Sequence, residues 1–213
     1  MSKGGGGEEG REVFTPKTAL GRMVIEGTIT SIDEVFEEGL RIREPEIVDI
    51  LLPNLEEEVL DINLVQKQTD AGERSKFKAI VVVGNRDGYV GVGGGKARQV
   101  REAINKAIID AKLNVIPVRR GCGSWDCRCS EKHSIPFRVQ GKCGSVKITL
   151  IPASKGTSIV GASLVKVILS LAGIKDCWTR TRGQTKNAHS LAFATYSALK
   201  NLHAILTPAD WAS

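Results

Sequence analysis

Lys67, Arg74, Lys76, Lys78, Arg86, Lys96, Arg98 and Arg101 crowd into residues 67–101 of this 213-residue chain. Each is a cationic hydrogen-bond donor of the kind that neutralises phosphate oxygens. Gly93-Gly94-Gly95 stands among them, just ahead of a helical pattern. A glycine-rich turn that opens a helix offers free backbone N–H groups and the positive end of the helix dipole to an anion. Three consecutive glycines cost more backbone entropy than a simple turn requires, which points to close approach of a phosphate backbone. Any one of these cations alone reads as a solvated surface charge. As a set they read as a polyanion-binding face. Hydrolysis of a nucleotide does not fit. Ala97 follows Gly95-Lys96 where a P-loop needs a Mg²⁺-binding hydroxyl, Val90 holds the place of its first glycine, and the third glycine of the dinucleotide fingerprint is missing.

A second chemistry lies in Cys122, Cys127, Cys129 and His133, with Cys143 ten residues further on. Three of these cysteines with either His133 or Cys143 would make a four-ligand Zn²⁺ site. The C-x₄-C-x-C-x₃-H spacing is not that of a standard zinc knuckle. The other reading is a loop of reduced thiols, able to form a disulfide in a hot or oxidising cytosol. Trp125 and its glycines suggest that the loop is compact. Cys177 stands alone on an expected strand and reads as a small core residue. His189 and His203 lie on an expected helix and read as structural. No Ser/His/Asp order, paired carboxylate cleft or HExxH occurs, so no enzyme activity is expected.

The elements that must position these groups follow from periodicity. Leu64–Gln68 and Lys76–Val83 read as strands joined by a polar loop, Thr69–Ser75. Asn85-Arg86-Asp87-Gly88 reads as a hairpin turn, and Tyr89–Val92 as a third strand ended by the glycines. Val100, Ala103, Ile104, Ala107, Ile108 and Ala111 then fall on one helical face. Leu113–Arg120 is a connector. Ser145–Pro152 alternates as a strand, and Gly156-Thr157-Ser158 reads as a second glycine-led helix start with Thr157 or Ser158 as its cap. Ile174–Thr181 reads as a strand and Asn187–His203 as the last helix. Upstream, residues 18–31 hold a short apolar set broken by Gly21 and Gly27. A helix capped by Ser31 or Asp33 runs to Arg41, a short helix covers Pro45–Leu52, and the acidic run Glu56–Glu58 reads as a solvated helix start. Residues 1–12 are expected to be disordered when free.

The formal net charge of +6 hides an asymmetry: residues 1–59 carry −8, residues 60–120 carry +6 and residues 121–213 carry +8. A basic body on an acidic extension suits phosphate backbones. Only 5% of residues are aromatic, so base stacking is not the main binding mode. No run of eighteen apolar residues and no signal peptide is present, which predicts a cytoplasmic protein with no membrane partner.

The string QKQTDAGERSKFKAIVVVGNRDGYVGVGGGKARQVREAINKAIIDAKLNVIPVRRG resembles the N-terminal domain of the small-subunit ribosomal protein number five family, in its archaeal and eukaryotic branch. GSVKITLIPASKGTSIVGASLVKVILSLAGIKDCWTRTRGQT resembles that family's C-terminal domain. The resemblance spans roughly 55–206. It implies an α+β fold: a double-stranded-RNA-binding-like domain of three strands and a helix over 55–120, then a C-terminal α/β two-layer sandwich over 145–206. An acidic extension (1–54), a Cys-rich connector (121–144) and a tail (207–213) complete the chain.

The resemblance also implies a structural ribosomal-RNA-binding component of the small subunit. It would lie near the side at which mRNA enters, beside the fourth and eighth small-subunit proteins, and contribute to decoding accuracy. Its RNA-facing residues would be Lys67, Gln68, Arg74, Lys76, Arg86, Gly93, Gly94, Gly95, Lys96, Arg98, Arg101, Arg119, Arg120, Lys155, Arg180 and Arg182. The competing expectation is a phosphate-handling enzyme that uses the C-terminal α/β domain, with residues 153–161 as its phosphate loop.

Overall fold

The computed structural model describes residues 16–203 apart from 128 and 130. The reading of residues 1–12 and that of the tail fall outside them. Among the described residues, those up to 51 form one compact unit and those from 52 another.

Three short helices make the described part of the first unit: α1 (Ala19–Ile25), α2 (Ile32–Glu37) and α3 (Pro45–Leu51). Thr18 caps α1 and Ser31 caps α2, each accepting from the backbone N–H three residues on. Gly21 is not a break. It is buried inside α1, where a Cβ would come under 3.0 Å from Glu44 Oε2 and Pro16 Cβ. The expected run of α2 to Arg41 is likewise corrected: Gly39 at φ +67° ends it. Glu44, only 9% exposed, accepts through Oε1 from the backbone N–H of Lys17 and Thr18, at 2.9 Å each. Glu44→Ala strands two donors and is expected to destabilise this unit by about 1–3 kcal/mol. Limited proteolysis would show it as faster cleavage within residues 16–51, and unchanged cleavage would refute it.

The second unit begins with an antiparallel sheet ordered β1-β2-β3-β4: β1 (Glu56–Thr69), β2 (Gly72–Gly84), β3 (Tyr89–Ala97) and β4 (Val115–Pro117). Glu56–Glu58 therefore opens a strand rather than a helix. The expected loop 69–75 is mostly strand too, because Thr69 pairs with Gly72 across the two-residue turn Asp70-Ala71, and Gly72 takes φ +108° as it opens β2. Both stretches are exposed and polar on each face, so no apolar alternation marks them.

Gly93-Gly94-Gly95 do not end the strand as the sequence suggests. They form no turn: β3 runs through them to Ala97 and pairs with β2 along the way. Helix α4 (Val100–Leu113) starts later, with Gln99 at its N-cap. A Cβ on Gly91, Gly93 or Gly95 would lie under 3.0 Å from backbone atoms of Ala111, Ala107 or Ala103. The glycines thus let a helix lie directly on a strand. Ala79, Val81, Val83 and Ala97 complete that contact.

The opposite face of the sheet, carrying Ile80, Val82, Val90 and Val92, belongs to the large core shared with the C-terminal half. There a second sheet has the order β5-β6-β8-β7. Its strands are β5 (Val139–Cys143), β6 (Val146–Pro152), β7 (Ile159–Val160) and β8 (Cys177–Arg182), with helices α5 (Ser163–Leu171) and α6 (Ala188–His203). Val146, Ile148 and Leu150 point to these helices, and buried Gly141 lets α6 approach, since a Cβ there would overlap the backbone of Ala194 and Ala198. The chain is α+β, with a sheet-and-helix layer followed by an α/β sandwich, as expected. The second glycine-led helix start is not seen. Gly156–Ser158 lies in a turn outside any helix, and α5 begins at Ser163 behind Ala162.

Candidate nucleic-acid interface and cysteine–histidine centre

Strand alternation distributes the basic residues. On β2, Ala79, Val81 and Val83 face α4, so Arg74, Lys76 and Lys78 lie on the other face, in line with Ile80 and Val82. The β1–β2 hairpin extends past the core, and on that extension the same face turns from apolar to cationic. Lys67, Arg74, Lys76, Lys96 and Arg98 line a cleft of about 570 Å³ there, with Val65, Thr69 and Ser75. Lys67 stands directly opposite Arg74, and Lys78 opposite Lys96.

The C-terminal sheet repeats the arrangement. The face of β5, β6 and β8 turned away from the helices carries Arg138, Gln140, Lys147, Thr149, Arg180 and Arg182 around a cleft of about 180 Å³. Lys147 is opposite both Lys142 and Arg182. Like charges placed directly opposite across strands are destabilising, by about 0.2–1 kcal/mol per pair. Four such pairs are found in two sheets among the described residues.

A third cleft, of about 800 Å³, lies between the β2–β3 turn and α5. Arg86, Arg120, Lys132, Lys166 and Lys175 contribute to its lining. The turn is the expected one: Asn85 Oδ1 accepts from the backbone N–H of Asp87 and Tyr89, at 2.8 and 3.1 Å. Arg86 sits at φ +56°, donates its N–H to Leu171 O and pairs with Glu56 at 2.7 Å. Arg120 pairs with Asp87.

The structure therefore gathers Lys67, Arg74, Lys76, Lys96 and Arg98 into the hairpin cleft, Arg180 and Arg182 into the cleft of the C-terminal sheet, and Arg86 and Arg120 into the cleft beside α5. Gln68 lies beside the first and donates to Glu73 at 2.9 Å. Arg101 is exposed on α4, and Arg119 is half-buried next to Arg120. Lys155 is exposed and pairs with Glu131 at 2.7 Å. Gly93 and Gly95 are buried under α4, while Gly94 is half-buried and gives its N–H to Asp110 Oδ2 at 2.9 Å. These three amides do not form the anion-binding helix start read from the sequence.

The thiols and the imidazole do come together. One donor atom from each of Cys122, Cys127, Cys129 and His133 lies within 4.8 Å of the others. Cys127 Sγ is 3.0 Å from Cys129 Sγ and 3.7 Å from His133 Nε2. The loop is stitched to Ser134 and Ile135 by the backbone N–H groups of Gly121 and Gly123. Hydrogen bonding from the Cys129 thiol, and then from the Lys155 backbone N–H, lowers the Cys127 pKa to about 6. Burial, with the neighbouring sulfurs, raises that of Cys122 to about 11. This donor set could hold a metal ion. Cys143, the other fourth ligand considered, lies on β5 outside the cluster. Trp125 does not pack into the loop, since it is 96% exposed. Cys177 is a core thiol, pushed up to about 11 by burial.

Residues 55–119 match the family described as ribosomal protein S5, N-terminal domain, and residues 141–211 match ribosomal protein S5, C-terminal domain. Curated relatives agree along the whole chain. The small ribosomal subunit protein uS5 of Aeropyrum pernix is 58% identical over 212 residues, covering 100% of this chain and 97% of the relative. That of Pyrobaculum calidifontis is 62% identical over 191 residues, covering 90% and 95%. The chain belongs to the ribosomal protein S5 family.

Within that family frame, the cysteine–histidine centre falls between the two matched segments. The cleft residues missed in the sequence are Lys132, Arg138, Lys147, Lys166 and Lys175. Arg138-x-Gln140-x-Lys142 and Lys147-x-Thr149 carried a period-two signal that could have found the sheet face. Asp176 was also missed, and no local signal marks it.

Proposed function

We propose that this S5-family chain is a structural, non-enzymatic ribosomal-RNA-binding component of the small ribosomal subunit. The observation that carries this reading is the set of cross-strand cation pairs: Lys67 with Arg74, Lys78 with Lys96, and Lys147 with both Lys142 and Arg182. Pairs that cost stability in the free protein are accounted for by an external polyanion that neutralises them. The three clefts supply its contacts, with Lys67, Arg74, Lys76, Lys96 and Arg98 on the hairpin and Arg138, Lys147, Arg180 and Arg182 on the C-terminal sheet. Ribosomes act in the cytoplasm, and no described helix is long and apolar enough to cross a membrane.

The resemblance extends the proposal to a position near the side at which mRNA enters, next to the fourth and eighth small-subunit proteins, with an influence on decoding accuracy. Apart from the resemblance, the proposal includes Zn²⁺ at the cysteine–histidine centre, because three thiolates and an imidazole are a ligand set that zinc favours. The alternative phosphate loop at 153–161 loses support from the structure. The N–H groups of Gly156 and Ser158 already donate to Asp176 Oδ1, at 3.1 and 2.7 Å.

The test is RNA affinity of the full chain against salt concentration. A steep loss is expected, and Lys96→Ala should reduce the slope of log K against log salt by about 1. A flat salt dependence, or turnover of a nucleotide by RNA-free protein, would overturn the reading.

A further inference from the structure

His133 is only 3% exposed and Asp176 only 4%. His133 Nδ1 lies 2.8 Å from Asp176 Oδ2, which leaves Nε2 to face the thiols. A carboxylate on the far nitrogen of a ligating imidazole fixes its tautomer and its ring orientation. The backbone repeats the link, since His133 O accepts from the N–H groups of Lys175 and Asp176, at 2.9 and 3.1 Å. The second oxygen of the same carboxylate accepts from Gly156 and Ser158. Between them sits a turn whose Ser158 is held at φ +61°, a conformation unfavourable for a non-glycine residue. Lys155 belongs to that turn, and its exposed ammonium pairs with Glu131 at 2.7 Å, a surface contact that a phosphate could replace.

Resting on the reading of the four donors as Zn²⁺ ligands, we infer that Asp176 is the outer-shell carboxylate of the site and couples metal occupancy to the 154–158 turn, making Lys155 a zinc-positioned phosphate contact. With Zn²⁺ bound, the thiol protons leave to solvent, Nε2 is a ligand, and Nδ1–H donates to Oδ2. That clamp holds the carboxylate so that Oδ1 spans the two turn amides. When the metal leaves, the imidazole loses its anchor on the thiol side. The carboxylate is then less firmly placed, and the turn loses the support that offsets its strain. Cys122, Cys127 and Cys129 lie outside both family segments, and the coupling reaches from them into the C-terminal domain.

The experiment uses the full-length protein with Co²⁺ and Zn²⁺ as probes. About one Co²⁺ per chain, with sulfur-to-metal charge-transfer absorption, is expected. Its absence would overturn the zinc reading itself, and the coupling with it. Given a loaded site, Asp176→Asn should weaken Zn²⁺ binding about 10–100-fold in chelator competition. Removing the metal from the wild type should speed amide hydrogen exchange at Gly156 and Ser158. Lys155→Ala should lower RNA affinity in the zinc form, and metal removal should then lower it less than in the wild type. Normal metal binding with unchanged exchange at both amides on metal removal would leave zinc standing and refute the coupling. The exchange measurement needs no substitution, so the inference is decided even if Asp176→Asn fails to fold.

Discussion

Gly93→Ala should unfold the first sheet-and-helix layer, whereas Gly94→Ala should leave it nearly intact. A Cβ on Gly93 would lie under 3.0 Å from the backbone N of Ala111 and the backbone O of Ala107. Backbone atoms inside a helix have no rotamer through which to retreat. Either α4 lifts from the sheet or β3 bends away from β2. Overpacking costs about 1–3 kcal/mol where side chains can shift, and more where they cannot. We therefore expect about 3 kcal/mol or more for Gly93→Ala, enough to consume much of a typical domain's stability. Gly94 points the other way. Its added Cβ would meet Ala79 O and the His189 ring at 3.9 Å, an ordinary van der Waals distance. Its N–H would still reach Asp110. The change should stay within about 1 kcal/mol. Urea unfolding of the two variants checks the contrast. Equal losses would show that the glycines serve a local chain conformation and not the close packing of α4.

That contrast explains what could be read from the sequence and what could not. The α4 face was readable, because Ala103, Ala107 and Ala111 recur at helical spacing, and all three are buried. The glycines were misread because three in a row suggest a break when only local chain conformation is considered. The pairing that decides the matter is tertiary. Alternate glycines on a strand advance about 6.8 Å, and alanines four apart on a helix advance about 6 Å, so Gly91, Gly93 and Gly95 lie against Ala111, Ala107 and Ala103 in reverse order. The signal was present in two separate stretches and had meaning only once they were laid together. The basic cleft fared better. Lys67, Arg74, Lys76, Lys96 and Arg98 were chosen for their charge and crowding, and antiparallel pairing did bring them together. Asp176 marks the limit. It lies 43 residues from His133, on no motif, and only the folded chain sets its two oxygens between the imidazole and the turn.

Neutralising the hairpin cleft should separate binding from folding by sign. In a variant with Lys67, Arg74, Lys76, Lys96 and Arg98 all changed to Gln, the polar hairpin keeps its backbone pairing. Every one of the five except Ala97-flanking Lys96 and Arg98 lies on the β1–β2 extension beyond the core, and Lys96 and Arg98 are themselves exposed. The Lys67–Arg74 and Lys78–Lys96 repulsions disappear, so the free protein should be as stable as the wild type or more stable by about 0.2–1 kcal/mol per pair. RNA binding should move the opposite way. Each lost phosphate contact removes about 0.9 from the slope of log K against log salt, so five remove about 4–5. At about 0.1 M salt that slope corresponds to a loss of affinity of about 10⁴–10⁵-fold, since exposed cations contribute chiefly through counterion release. A structural role for these residues predicts that stability and affinity fall together. An RNA-binding role predicts a melting temperature that holds or rises while affinity collapses. If the variant melts earlier than the wild type and its affinity falls only in proportion to the unfolded fraction, the cleft is part of the scaffold and the RNA contacts must be sought on the C-terminal sheet.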